Sequence, residues 1–241
     1  MRKAAVPPAV QSGGSSGLDA GRIQKPVTPS FTVRLLRRKL VIWALIVLPG
    51  FWPAWPFFVE KDPTALTDPL KFLLHHLGFI ACLLLVGVLT LTPLRVLFPK
   101  WDVALALNRH RRLIGVSSFA YALLHFAVHV FYQYDGTYDG TMTQLGKELQ
   151  KPFQLTGLFA LSILFVLTIT SVNAAVRWLG KRWKKLHRLA YVAAALVAYH
   201  QATAQKTFPP QVVWIFAPLV LLEIARFVKE RQRRGGAEGA A

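Results

Sequence analysis

FLLHHLGFIACLLLVGVLTLTPLRVLF, residues 72–98, is an apolar run broken only by His75 and His76 near its start and Arg95 near its end. At 1.5 Å per residue a helix of that length exceeds the roughly 30 Å of a bilayer's hydrocarbon core. A backbone surrounded by lipid must satisfy its own hydrogen bonds, so the run is read as a transmembrane helix. Five further stretches of the same character lie at about 40–59, 113–132, 153–176, 187–204 and 209–228. The 241-residue chain is 54% apolar and 17% charged, which puts it in the membrane class. The expectation is an all-α polytopic membrane protein, a six-transmembrane-helix bundle.

The formal charge of +18 would suggest nucleic acid in a soluble protein. Here 24 of the 29 basic residues fall in the N-terminal segment, the second and fourth loops and the C-terminus, against five on the other face: Lys61, Lys71, Lys147, Lys151 and Lys206. By the positive-inside rule both termini are cytoplasmic and the odd-numbered helices run outward. The basicity is thus a topology signal, with anionic membrane lipid as the secondary partner and no nucleic acid.

Residues 1–30, rich in Pro, Gly and Ser, cannot bury enough surface to fold alone and read as a disordered cytoplasmic tail. Arg37 and Arg38 precede a long apolar run with five more after it, so they read as an anchor for helix 1 and not as an export signal. The membrane domain takes in 31–230, and 231–241 is a basic, Gly/Ala-rich cytoplasmic tail. Most of the seven tryptophans fall near predicted helix ends, as an interfacial belt does. The outer loops are short and somewhat acidic, with Glu60, Asp62, Asp68, Asp135, Asp139 and Glu148. The lone Cys82 gives no disulfide or CxxC motif, and no glycine-rich nucleotide loop is present.

The histidines carry the chemistry, because ionisable or ligating side chains inside a membrane suggest function. His125 lies 13 residues past Arg112, where helix 3 enters, and His200 lies 13 past His187, where helix 5 enters. Both imidazoles therefore sit about 20 Å from the inner edge. Two helices running the same way thus offer a neutral imidazole at one level, which is what axial ligation of one porphyrin iron requires. His125 and His200 are the leading ligand candidates. Polar helix contacts with no cofactor are the alternative.

His187 begins helix 5 where an inner haem would lie, but an ideal helix turns it about 140° away from His200. The matching level of helix 3 holds Arg112, so a second bis-histidine site is incomplete unless His110 or another ligand serves. His129, one turn past His125, reads as an outer-interface residue that could meet a propionate. His75 and His76 read as interfacial. Gly115 and Gly157 would let a flat macrocycle approach the backbone, or serve ordinary small-residue packing. Arg111, Arg112, Lys184 and Lys185 could pair with propionates, a flavin or a quinone.

LTPLR (91–95), RRLIG (111–115), FAYALLH (119–125), KPFQLTG (151–157), LTITS (167–171) and LGKRWKKLHRLAYV (179–192), followed by His200, resemble MsrQ. That is the haem-binding membrane subunit family of bacterial protein-methionine-sulfoxide reductase systems, within the ferric reductase-like transmembrane superfamily. The resemblance covers about 31–230. It implies a bacterial inner-membrane protein that takes electrons from the quinone pool or a cytoplasmic flavin reductase through haem b, one or two, and FMN. It would pass them to a periplasmic molybdopterin subunit, MsrP, which carries the catalytic centre and repairs oxidised methionine in envelope proteins. The family's haem histidines map onto His125, His187 and His200. Competing readings are a self-sufficient ferric or quinone reductase and, in another class, a haem-free transporter or assembly factor with buried histidines.

Overall fold

The computed structural model describes residues 30–134, 136–204 and 208–238, and among these no strand is formed. Of the predicted N-terminal tail only Ser30 falls among them; the rest of it, with Asp135, Lys206 and the last three residues, lies outside the described residues. Ser30 Oγ accepts from Val33 N and caps α1 (Phe31–Leu36). α2 (Lys39–Phe51) runs through a turn into a π-helical segment at Pro56–Glu60, and together Lys39–Glu60 form one apolar stretch. A short α3 (Pro63–Thr67) precedes α4 (Pro69–Leu97). The start of α4 is set by Asp68, whose carboxylate accepts from Lys71 N at 3.0 Å, and by proline at the first helical position.

α5 (Asp102–Asn108) leads into α6 (Arg111–Tyr132), and α7 (Tyr138–Glu148) into α8 (Pro152–Ile169). Then come α9 (Asn173–Leu179), α10 (Lys181–Leu186), α11 (Leu189–Thr203) and α12 (Gln211–Glu238). Gly180 separates α9 from α10 with φ of 50°, a left-handed turn that favours glycine.

Five segments are long and apolar enough to cross a bilayer: Lys39–Glu60, Pro69–Leu97, Arg111–Tyr132, Pro152–Ile169 and Gln211–Gly235. The fold class is as expected, with two differences in extent. The run expected at 153–176 stops at Ile169, and Val172 is extended, with ψ of 149°, before α9 begins. Trp183 Nε1 takes the Thr170 carbonyl at 3.0 Å, satisfying an acceptor that the end of the helix leaves free. The run expected at 187–204 is the 15-residue α11, about 22 Å long and shorter than a hydrocarbon core.

α4 is the central helix: 56% of its apolar window is buried, against 11–22% in the other four spans. It packs against α6 and α12 most extensively, and also meets α2, α5 and α11. One core gathers Cys82, Leu85, Leu89, Leu164, Ala193 and Leu219; a second joins Ile42, Ile46, Leu77, Ile80 and Tyr121. The outer surface keeps large apolar side chains uncovered, among them Leu40 and Trp214. A bilayer supplies the contacts that water would not.

The two ends of the bundle differ in charge. α1 packs on α5, Lys229 Nζ donates to the Leu97 carbonyl at 2.9 Å, and Arg112 donates to Asn173 Oδ1 at 2.8 Å. These contacts bring the basic residues of α1, the junction after α5 with the start of α6, α9 and the end of α12 to one end. At the opposite end Tyr132 donates to Asp68 at 3.2 Å, and the ring of His76 contacts the Pro49 carbonyl at 2.7 Å through Nε2.

Candidate functional site

α6 delivers His125 to the side of α4, with Nδ1 2.8 Å from the Leu74 carbonyl. α11 delivers His200 to α8 in the same manner, with Nδ1 2.7 Å from the Phe153 carbonyl. A carbonyl only accepts, so Nδ1 holds the proton in both rings and Nε2 keeps the lone pair that can bind a metal. Each ring lies over a glycine one turn further along the partner helix. A Cβ on Gly78 would come 2.9 Å from His125 Nδ1, and one on Gly157 would come 2.8 Å from His200 Nδ1.

The two imidazole centroids are 6.2 Å apart with planes at 87°. Both rings line a cavity of about 480 Å³ bounded by α4, α6, α8 and α11, with walls that include Cys82, Leu85, Leu161 and Leu164. Its lining also carries the polar residues His75, His129, Glu148, Gln154, Gln201 and Gln211. Gln154 Nε2 stands 3.4 Å from His129 Nε2, and Lys151 pairs with Glu148 at 2.6 Å. That ammonium holds the Glu148 carboxyl below its ordinary range.

The arrangement fits an iron porphyrin. A metal–imidazole bond of about 2 Å on each side of a shared ion, with half of each ring added, separates two centroids by about 6 Å. The cavity lies in the range of ligand sites, about 300–1,000 Å³, and its apolar walls suit a flat hydrophobic macrocycle. Among the described residues no group of three or more His, Cys, Asp or Glu side chains gathers as a metal centre. Two imidazoles suffice only for an ion that brings its other ligands with it.

The remaining candidates fall into separate places. His187 is not on the regular part of α11: it caps α10, ahead of a turn, so the angle expected from an ideal helix does not apply. Its ring stacks on Trp183 at 3.9 Å, and its Nε2 is 3.3 Å from Ser171 Oγ. Its Nδ1 is buried and makes no hydrogen bond of acceptable geometry, although the Trp183 and Leu167 carbonyls lie close enough to act on the ring. His110 Nε2, at the same end of the bundle, is buried and unpartnered too. Arg112 is engaged by Asn173, outside the cavity described above. Gly115 has no atom of the protein within 4 Å of a built Cβ, so nothing in the fold itself requires glycine there. His76 packs on Trp52 at 5.5 Å and, like His75 and His129, lines the cavity.

The sequence left Gly157 to a macrocycle or to small-residue packing; the structure puts it in the cavity lining with the His200 ring against it. It missed Gly78 and the two carbonyl acceptors altogether. The available signal was a glycine four residues after a helical carbonyl, LLHHLG at 73–78 and PFQLTG at 152–157, facing each histidine helix.

A bundle of this kind, with paired histidines between its helices, defines a class of membrane redox component, and the comparisons agree. Residues 77–198, just over half of the chain, match the family model described as ferric reductase like transmembrane component. That match contains His125 and His187 and ends two residues before His200. A Brucella anthropi protein is 35% identical over 194 residues, covering 80% of this chain and 84% of its own. Proteins of Brucella ovis and Brucella canis are each 34% identical over 189 residues, covering 77% of this chain and 82% of theirs. All three are named protein-methionine-sulfoxide reductase heme-binding subunit MsrQ. The chain belongs to the MsrQ family of the ferric reductase-like transmembrane proteins. No solved structure matches it.

Proposed function

We propose that this chain is the electron-carrying membrane subunit of a protein-methionine-sulfoxide reductase, with haem b held between His125 and His200. The observation that carries the reading is the 6.2 Å separation of two imidazoles whose Nδ1 atoms are both tied back to carbonyls. Bound there, haem would supply one-electron transfer between the two sides of the membrane. The protein's own part is to hold both rings in the metal-binding tautomer and to surround them with mostly apolar walls.

The chain sits in the bacterial inner membrane with both termini cytoplasmic, since its basic end belongs inside. α11 then serves as a short fifth crossing, packed on α8. The acidic outer end faces a periplasmic catalytic partner of the MsrP type. Electrons enter at the basic end from the quinone pool or a cytoplasmic flavin reductase, with FMN held among Arg111, Arg112, Lys184 and Lys185. His187, with its buried Nδ1, is the residue that would take a second, inner haem.

The test is haem and flavin quantitation, with dithionite-reduced minus oxidised spectra, on purified wild type and single variants. His125→Ala and His200→Ala should each abolish the low-spin haem signal, and His129→Ala should keep most of it. A colourless wild type from haem-replete cells would sink the reading in favour of a haem-free transporter. Reduction of chelated iron with no transfer to a sulfoxide reductase would favour the self-sufficient reductase.

A further inference from the structure

Three places in the bundle share one construction. The carbonyl of Leu74 lies under His125 with Gly78 four residues on, and that of Phe153 lies under His200 with Gly157 four residues on. In the third, Tyr121 Oη donates to the Ile46 carbonyl at 2.8 Å, and a Cβ on Gly50, again four residues on, would collide with that hydroxyl.

The spacing has a physical cause. A helical carbonyl at position i already accepts the N–H of residue i+4, and its second lone pair is screened by the i+4 side chain. Removing that side chain lets a ring from a neighbouring helix reach the lone pair. IVLPG (46–50), LLHHLG (73–78) and PFQLTG (152–157) each provide such an opening. Neither Tyr121 nor Gly50 lines the cavity, so the third opening is a packing device, whereas the other two hold the imidazoles that face the cavity.

We propose that Gly78 and Gly157 are positioning residues for haem: each opens a carbonyl that orients its histidine ring and fixes the proton on Nδ1. This rests on the reading that His125 and His200 share a haem. A second consequence follows from the hydrogen bond itself. An N–H donating to a carbonyl makes the opposite nitrogen a stronger donor to the metal, which favours the ferric state. An added methyl must push the ring off its acceptor, because the contacts at 2.8–2.9 Å involve a rigid ring and not the end of a flexible chain.

The experiment uses the full chain in detergent and compares Gly78→Ala and Gly157→Ala with Gly50→Ala and Gly87→Ala. A Cβ on Gly87 meets nothing within 4 Å, and that on Gly50 meets only the Tyr121 opening. Expected for the first pair is haem retention weaker by about ten- to a hundredfold. Their midpoint potential should rise by about 59 mV for each tenfold of lost ferric preference. Gly50→Ala should lower the melting temperature with unaltered haem affinity and potential, and Gly87→Ala should match wild type in all three.

Should Gly78→Ala fail to fold, His125→Gly leaves an opening that free imidazole can fill. Imidazole carries the N–H that the Leu74 carbonyl accepts, and 1-methylimidazole does not. Imidazole should restore the low-spin spectrum at a concentration about ten- to a hundredfold lower. Equal rescue by the two, or Gly78→Ala and Gly157→Ala proteins with wild-type haem retention and potential, would overturn the proposal. Absence of haem from the wild type would instead overturn the functional reading beneath it.

Discussion

His125 and His200 meet with their ring planes at 87°, nearly perpendicular, because each is held by a carbonyl on a different helix, Leu74 on α4 and Phe153 on α8. Neither ring can turn to align with the other without giving up its hydrogen bond. Were both rings to hold a haem iron as proposed, their crossed planes would leave the two π-accepting d orbitals of a low-spin ferric ion nearly equal in energy. The oxidised protein should then give a strongly anisotropic low-spin electron paramagnetic resonance signal, with its largest g value well above that of parallel ligands. A rhombic signal typical of parallel planes would show that the rings do not keep this orientation.

Much of the architecture was legible because lipid imposes a simple rule: long apolar runs become helices. The runs at 72–98 and 113–132 correspond closely to α4 and α6. Where the sequence misled, tertiary contacts had overridden hydropathy. Thr170 and Ser171 are uncharged and do not break an apolar run, yet α8 ends seven residues early, where Trp183 takes the Thr170 carbonyl and Val172 turns extended. In the site, equal spacing from the basic edge pointed to His125 and His200, and the structure brings the two rings together although the count to His200 crosses the turn at His187 and Arg188. Spacing was not enough for Gly78, whose role depends on which helix lies beside α6, a tertiary fact that no periodicity contains.

His76 differs from His125 and His200 in which nitrogen the fold engages. Its Nε2 is 2.7 Å from the Pro49 carbonyl and its ring stacks on Trp52, whereas the other two rings reach their carbonyls through Nδ1. His76→Ala should lower unfolding free energy by about 1 kcal/mol through loss of one hydrogen bond, more if the Trp52 contact is also lost. Haem content should not change. The check is thermal melting followed by haem absorbance, and a fall in haem per chain before any unfolding would move His76 into the site.

Glu148 gives a pH dependence of known sign. Lys151, in contact at 2.6 Å, depresses its folded-state pKa. The contribution of this pair is therefore present above the unfolded carboxylate pKa, about 4.3, and is lost as pH falls through the lower folded value. Gln154, which also bonds Glu148, links this pair to His129 in the cavity lining. Melting temperature measured from pH 7 to pH 3 should fall less steeply in Glu148→Gln than in wild type. Parallel curves would show that the pair adds nothing to stability.

At the basic end Tyr191 Oη donates to Glu223 at 2.9 Å, and Arg226 pairs with the same carboxylate at 2.9 Å. This ties α11 to α12, next to the short helix whose crossing is least supported by its own length. Tyr191→Phe should cost about 1 kcal/mol, and Glu223→Gln more, because it leaves Arg226 without its charged partner at 2.9 Å and with only the longer contacts to the Tyr191 hydroxyl at 3.4 Å and Glu230 at 3.6 Å. Chemical denaturation in detergent would measure both, and a neutral Glu223→Gln would mean that lipid or water satisfies Arg226 instead.

A second, inner haem, as proposed above, would need His187. Its ring is held between Trp183 and Ser171, with the Trp183 and Leu167 carbonyls close by, and its buried Nδ1 makes no full hydrogen bond. Arg112 at the corresponding level of α6 is bound to Asn173 and offers no lone pair, so any ligand set there is unlike that of His125 and His200. His187→Ala should lower haem per chain while the anisotropic signal from the other pair stays at full strength. Loss of both signals together would mean that His187 supports the bundle as a whole, and an unchanged haem count would give its Nδ1 a partner other than iron. Spin quantitation of that signal alongside total haem separates the three outcomes, because it counts the His125–His200 site independently of whatever else the protein binds.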